Sequence, residues 1–205
     1  MTTSREVLLQ QARPPYSRLL ALSYPQHRSY ARQHGLELVR MGGPLIPGWT
    51  GHWDAVVVML VLLESGVDRI FWLDADALIV GDRYFGVALA ASGGNLAMVR
   101  HPGPPEHWNC GVLMVQNGSH VRAFLQELID QGPGVFPWFQ QQLMNDMLST
   151  SRWRGLIGAP LGDQWNSTWR INEHPAPQVV AWHGWPGGVQ AKHQAMRDFV
   201  AERGL

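Results

Sequence analysis

The sequence predicts a single α/β domain, a sandwich of helices around a mostly parallel central sheet, and three observations carry that prediction. Short apolar strands alternate with helical stretches along the chain, the pattern that successive βα units leave in a sequence. A length of 205 residues with 45% hydrophobic and 10% aromatic content suits one core-bearing domain over residues 1–205. No internal repeat, low-complexity tract or linker-like stretch divides it.

The elements follow in order. Glu6 to Gln10 reads as a first strand, closed by Arg13-Pro14-Pro15 because a double proline cannot continue a ladder. Ser17 to His34 reads as a helix on the spacing of Leu19, Leu20, Leu22, Tyr30 and Ala31, kinked or split at Pro25 and stopped by Gly35. Leu36 to Val39 is a second strand, and Trp53 to Ser65 a helix apolar nearly all round, hence buried, ending at Gly66. Arg69 to Leu73 is a central strand, Ala77 to Val80 is extended, and Leu96 to Arg100 and Gly111 to Gln116 are further strands. Val121, Phe124, Leu125, Leu128 and Ile129 mark a helix with Ser119 as its cap and Gly132 as its stop. Phe136 to Leu148 is a helix, Gln178 to Trp182 a strand and Ala191 to Arg203 a terminal helix.

Charge and composition exclude several functions. Sixteen basic and sixteen acidic side chains cancel, so no chain-wide field draws nucleic acid or anionic lipid. The longest apolar run, Ala55 to Leu63, is too short to cross a bilayer, and the first residues show no secretory pattern. A soluble cytoplasmic protein without a membrane anchor is expected. Cys110 is the only cysteine, so any metal must rely on oxygen and imidazole ligands.

The stretch that carries chemistry is Phe71-Trp72-Leu73-Asp74-Ala75-Asp76-Ala77-Leu78-Ile79-Val80. Two carboxylates one residue apart sit between apolar runs where the chain leaves a strand. On an extended chain both would point to one side and repel each other unless a cation lay between them. Oxygen ligands suit Mn²⁺ or Mg²⁺, which complete their shells with phosphate and water.

Trp72-Leu73-Asp74-Ala75-Asp76-Ala77 resembles the Asp-x-Asp motif of nucleotide-sugar-dependent glycosyltransferases with the GT-A fold, and within them the retaining galactosyl-, xylosyl- and mannosyltransferase family. Four further segments are similar in the family's order: Tyr30 to Leu38, Asn109-Cys110-Gly111 to Asn117, Trp165-Asn166-Ser167, and Trp182-His183-Gly184. The resemblance implies that Asp74, Asp76 and His183 bind Mn²⁺ (or Mg²⁺) against the donor diphosphate. It implies donor contacts from Asn109 and Gly111, where an amide and a close backbone approach suit sugar hydroxyls, and from Gly184, Trp53 and Lys192. In Phe139 to Asn145, Gln141 matches the glutamine that faces the donor sugar in the family. Glutamines at 140 and 142 stand where acids are common, so Asp146 becomes the substitute carboxylate. Trp53-Asp54 replaces the family's Trp-x-Lys.

The activity implied is transfer of a sugar from a nucleoside diphosphate sugar, a UDP-sugar rather than GDP-mannose, to a hydroxyl of a carbohydrate or other acceptor, with retention. Two alternatives stand beside it. One is a binding relative that keeps the metal site without turnover. The other is a haloacid-dehalogenase-type phosphatase, whose first motif is also Asp-x-Asp but whose late Gly-Asp-x-x-x-Asp is missing here.

Overall fold

The computed structural model describes residues 4–43, 45–101, 106–134, 139–168, 181–183, 185 and 187–205, with 139, 182 and 183 described through their backbone. In chain order the elements are β1 (Glu6–Gln11), α1 (Ser17–Gln33), β2 (Glu37–Met41), α2 (Gly51–Glu64), β3 (Arg69–Leu73) and β4 (Leu78–Ile79). They continue with α3 (Phe85–Ser92), β5 (Leu96–His101), β6 (His107–Gln116), α4 (Ser119–Gln131) and α5 (Phe139–Ser149). Two 3-10 turns, Arg154–Leu156 and Asp163–Trp165, then lead to β7 (Ser167–Thr168), β8 (Ala181–His183) and α6 (Val189–Arg203).

The main sheet has the order β2-β1-β3-β6-β5, and β4-β8-β7 forms a smaller one. β1 runs parallel to β2 and β3, whereas β6 runs antiparallel to β3 and to β5. The α/β class therefore holds, but the sheet is mixed and not mostly parallel. The connection from His101 to His107 is too short to hold a crossover helix, so β5 and β6 can pair only as an antiparallel hairpin.

Alternation along the central strands divides the core into two layers. Val7, Leu9, Ile70 and Trp72 face α2, α4 and α5, while Leu8, Phe71 and Leu73 face α1 and α3. Ile70, Phe71, Trp72 and Leu73 are all nearly buried, each contributing on the order of 2 kcal/mol of transfer free energy. This burial on both faces holds β3 in place, and its C-terminal end delivers the two aspartates.

Several expectations are revised. α1 passes through Pro25 without splitting, because the ring is exposed and the other face buries Leu19, Leu20, His27, Tyr30 and Ala31. Gly118, not Ser119, is the N-cap of α4, and no side chain caps it; Gly132, at φ 66°, does end the helix. β6 begins at His107, four residues before Gly111, since Trp108 and Asn109 pair with Arg100 and Val99. α3 had no amphipathic stripe to announce it, being short, apolar throughout and interrupted by Gly86. The expected strand from Gln178 is described only over Ala181–His183, and residues 178–180 and 136–138 lie outside the described residues.

Candidate functional site

The chain leaves β3 into a tight turn at Asp74, where Asp74 N–H donates to Gly111 O at 2.8 Å and Ala77 N–H donates back to Asp74 O at 3.0 Å. The turn keeps Asp74 and Asp76 close together between two sheets. Burial first, and then the Asp76 charge, pushes the Asp74 carboxyl well above the usual carboxylate range, opposed by a bond from Trp72 Nε1–H (3.2 Å) and by the Lys192 charge.

Asp76 has its own cation. Lys192 Nζ donates to Asp76 Oδ2 at 2.5 Å, an ion pair that is mostly buried. Lys192 reaches it from α6, one helical turn before the buried Met196, which packs with Trp185, Leu19 and Leu78. The Trp185 indole N–H donates to Asp76 O at 2.7 Å. The only lysine in the chain is thus held on the second aspartate by a dedicated apolar cluster. Arg13 and His52 stand near enough to act electrostatically: partial burial, then Arg13, pushes the His52 imidazole down, with Asp76 opposing and Lys192 adding to it.

β6 forms the facing wall. Its register against β5 breaks between Ala97 and Val99, a bulge of the kind that re-aims side chains beside a site. Asn109 Oδ1 accepts from Gly111 N–H at 2.8 Å and from Asn166 Nδ2–H at 3.0 Å, while Asn109 Nδ2–H donates to His101 Nδ1 at 3.0 Å. His101 Nε2–H donates to Asn166 O at 3.1 Å, so the imidazole is the neutral Nε2–H tautomer, and burial lowers its pKa in agreement. Asn166 Oδ1 is buried with no partner among the described residues.

From α5, Gln141 Oε1 accepts the Cys110 N–H at 2.9 Å. One turn later Asn145 takes Trp108 N–H on its oxygen at 2.7 Å and gives its amide hydrogens to Trp108 O (3.0 Å) and Gln141 O (2.8 Å). The helix is therefore clipped to the β6 backbone by two amides. Asp146 lies on another side of α5, exposed and bonded to Gln142 Nε2–H at 2.9 Å.

The structure thus brings together Asp74, Asp76, Asn109, Gly111, Gln141 and Lys192. Trp53 is not with them: it is 1% exposed in the main core, edge-on to Trp49 at 5.6 Å. Its indole fills the layer under α2, which removes it as a donor contact. The adjacent Asp54 is fully buried and acts as a latch, accepting from Arg13 Nη2–H (3.0 Å), Gln11 Nε2–H (3.2 Å) and Leu45 N–H (3.1 Å).

His183 is described through its backbone, paired with Thr168 in β8. Leu78 opposes Trp182 and Ile79 opposes Ala181, so one step further along this antiparallel register Ala77 faces His183. That puts the His183 backbone beside the aspartate turn; its imidazole, like Gly184, lies outside the described residues. Among the described residues no three His, Cys, Asp or Glu side chains group to hold a metal. Of the three expected metal ligands, the described residues show the two carboxylates and the backbone position of His183. His101 and Asn166 join this wall although the sequence does not single them out. Asn166 sat in a matched segment that could have flagged it, whereas nothing local marked His101, which joins the site only across the β5–β6 hairpin.

This fold is the GT-A-like α/β fold of glycosyltransferases. It is similar to a glycosyltransferase involved in glycosylating the major capsid of PBCV-1, with a TM-score of 0.73 and 13% identity over 95% of this chain and 99% of that one. The apo form of the glycosyltransferase GlyE of Streptococcus pneumoniae TIGR4 is similar at a TM-score of 0.58 and 15% identity, over 98% of this chain and 64% of GlyE. The galactosyltransferase LgtC, solved with donor and acceptor sugar analogs, gives 0.57 and 13% over 96% and 95%. No protein-family model and no curated protein matches the sequence. Among the described residues no helix is long and apolar enough to cross a membrane.

Proposed function

We propose that this protein transfers a hexose or pentose from a nucleoside diphosphate sugar, a UDP-sugar in preference to GDP-mannose, to an acceptor hydroxyl with retention of configuration. The observation that carries the reading is the convergence of Asp74 and Asp76 with Asn109, Gly111 and Gln141 at the C-terminal end of the central strand, on a glycosyltransferase fold. Donor base and retention rest on the sequence resemblance.

The residues present fit a divalent ion. Two carboxylates share one turn and Lys192 offsets one of them, while burial first, and then the Asp76 charge, raises the affinity of Asp74 for a proton. Asp74, Asp76 and His183 would hold Mn²⁺ or Mg²⁺, which supplies Lewis-acid stabilisation of a leaving diphosphate. Lys192 adds a cation that can shift toward the diphosphate charge. Asn109 Oδ1 is held by Gly111 N–H and Asn166 Nδ2–H, and Gln141 Oε1 by Cys110 N–H, so both amides help to fix the wall against which the sugar lies. Among the described residues one amide hydrogen of Asn109 has no partner, and it could serve a hydroxyl.

An amide oxygen occupied by the Cys110 N–H is a poor nucleophile, and Asp146 faces elsewhere on α5. That favours a same-face reaction in which the departing phosphate receives the acceptor proton, over a covalent intermediate.

Calorimetric titration of UDP and GDP with Mn²⁺, repeated in EDTA, tests the proposal. Metal-dependent binding of UDP is expected, and D76N should weaken it by a hundredfold or so, about 2.7 kcal/mol, with an unchanged circular dichroism spectrum. Equal binding by D76N would remove the metal assignment. Binding without sugar transfer to any acceptor would point to the binding relative, and phosphatase activity with no nucleotide binding would overturn the reading.

A further inference from the structure

β2 is an edge strand of the main sheet, unpaired on its outer side among the described residues, and the face it shares with α1 opens into a groove of about 500 Å³. Tyr24, Arg28 and Arg32 recur every four residues along one side of α1, and Arg40 comes up from β2 to meet them. Ala31, Leu36 and Leu38 make an apolar floor. The Arg40 and Arg28 guanidiniums lie 4.5 and 5.9 Å from the centre of the same Tyr24 ring, so the ring gathers two cations at one place.

These three arginines share the lack of a carboxylate partner with Arg18, Arg83, Arg122, Arg154, Arg197 and Arg203 among the described residues, but here three such side chains line one groove. Arg5, Arg13, Arg69, Arg100 and Arg152 each pair with an acid. Among the described residues Arg28, Arg32 and Arg40 have none, and Glu37, their neighbour on β2, is taken by Arg5. Arg40 Nε is buried without a hydrogen-bond partner among the described residues. Burial disfavours the Arg40 charge. Three like charges around a concavity, one of them partly dehydrated, are costly in the free protein and become favourable once an anion sits between them.

We infer that this groove is a second ligand site, separate from the aspartate turn, that takes a phosphate-bearing molecule. Forked guanidinium donors match phosphoryl oxygens in pairs, and the leucine floor accepts a nonpolar portion next to the phosphate. A lipid headgroup and a soluble phosphate ester offer the same chemistry.

The experiment uses two probes, both in EDTA: inorganic pyrophosphate by calorimetry, and co-sedimentation with phosphatidylcholine vesicles with and without phosphatidic acid. The test variant is R28E combined with R32E, both exposed on α1, with R40Q as a second variant. The wild type should bind at least one probe, and the double variant should lose roughly tenfold or more of that affinity at an unchanged melting temperature. Loss confined to phosphatidic acid vesicles identifies a lipid headgroup, and loss with pyrophosphate identifies a soluble ester. Wild-type protein that binds neither probe, or variants that bind as well as wild type, would overturn the site.

Discussion

At the scale of single residues, the polar groups buried around the site divide into those that hold the fold and those left for a ligand. His27 belongs to the first kind. It is fully buried, Nδ1–H donates to Gln10 Oε1 at 2.8 Å, and Nε2 accepts Ile79 N–H at 3.2 Å, so one neutral ring joins α1, β1 and β4. Burial, then the Arg40 charge, pushes its pKa down from 6.5 to about 3. The folded state therefore prefers the neutral ring. Its contribution is complete above pH 6.5 and is lost as the pH falls toward about 3, at about 1.4 kcal/mol per pH unit inside that window. Urea denaturation at a series of pH values should show H27Q much less stable than wild type at pH 7, with the gap narrowing as the buffer becomes acidic. A gap that stayed constant would mean that the ring titrates normally in the folded protein.

At the scale of elements, periodic burial overrides local disruption. α1 keeps its course through Pro25 because the apolar side chains on its inner face decide its path, while the exposed proline only removes one backbone bond. P25A restores that donor at no packing cost and should stabilise the protein by about 2 kcal/mol, seen as a higher melting temperature. An unchanged or lower value would show that the helix depends on a bend at that point. α5 shows the same logic with polar groups. Gln141 and Asn145, one turn apart, bind β6 through its backbone, while Leu143, Met144, Met147 and Leu148 on the same helix bury in the main core.

At the scale of the whole molecule, the two edges of the main sheet are treated differently. The β5 edge is covered: the segment after Leu156 runs alongside it, with Gly158 N–H donating to Leu96 O at 3.1 Å, Ala159 N–H to Ser92 O at 2.8 Å and Leu161 N–H to Met98 O at 3.1 Å. Among the described residues nothing pairs with the outer side of β2, beside the arginine groove. Backbone contact at the covered edge leaves no room for a side chain, since a Cβ on Gly158 would come within 2.4 Å of Ser92 O and one on Gly94 within 2.2 Å of Gly158 N. G158A should cost about 2 kcal/mol, read as a lower urea midpoint. It should also weaken nucleotide binding, because the same segment delivers Asn166 to Asn109. Full stability in G158A would show that the segment can lift from β5 freely.

The sequence by itself determined the strands and helices that carry regular apolar periodicity, the placement of Asp74 and Asp76 at the exit of a buried strand, and the glycosyltransferase resemblance, because these are local properties of spacing and residue type. It also marked Asn109, Gly111 and Gln141 as neighbours of one site; in the structure Asn109 accepts from Gly111 N–H and Gln141 from Cys110 N–H. Only the tertiary structure decided that β6 reverses the sheet, that Trp53 is core, that Asp146 points away, that Lys192 closes on Asp76, and that His101 and Asn166 complete the wall. Each of those depends on which elements pack together across many residues of chain, and no pattern within one element encodes its partner's position.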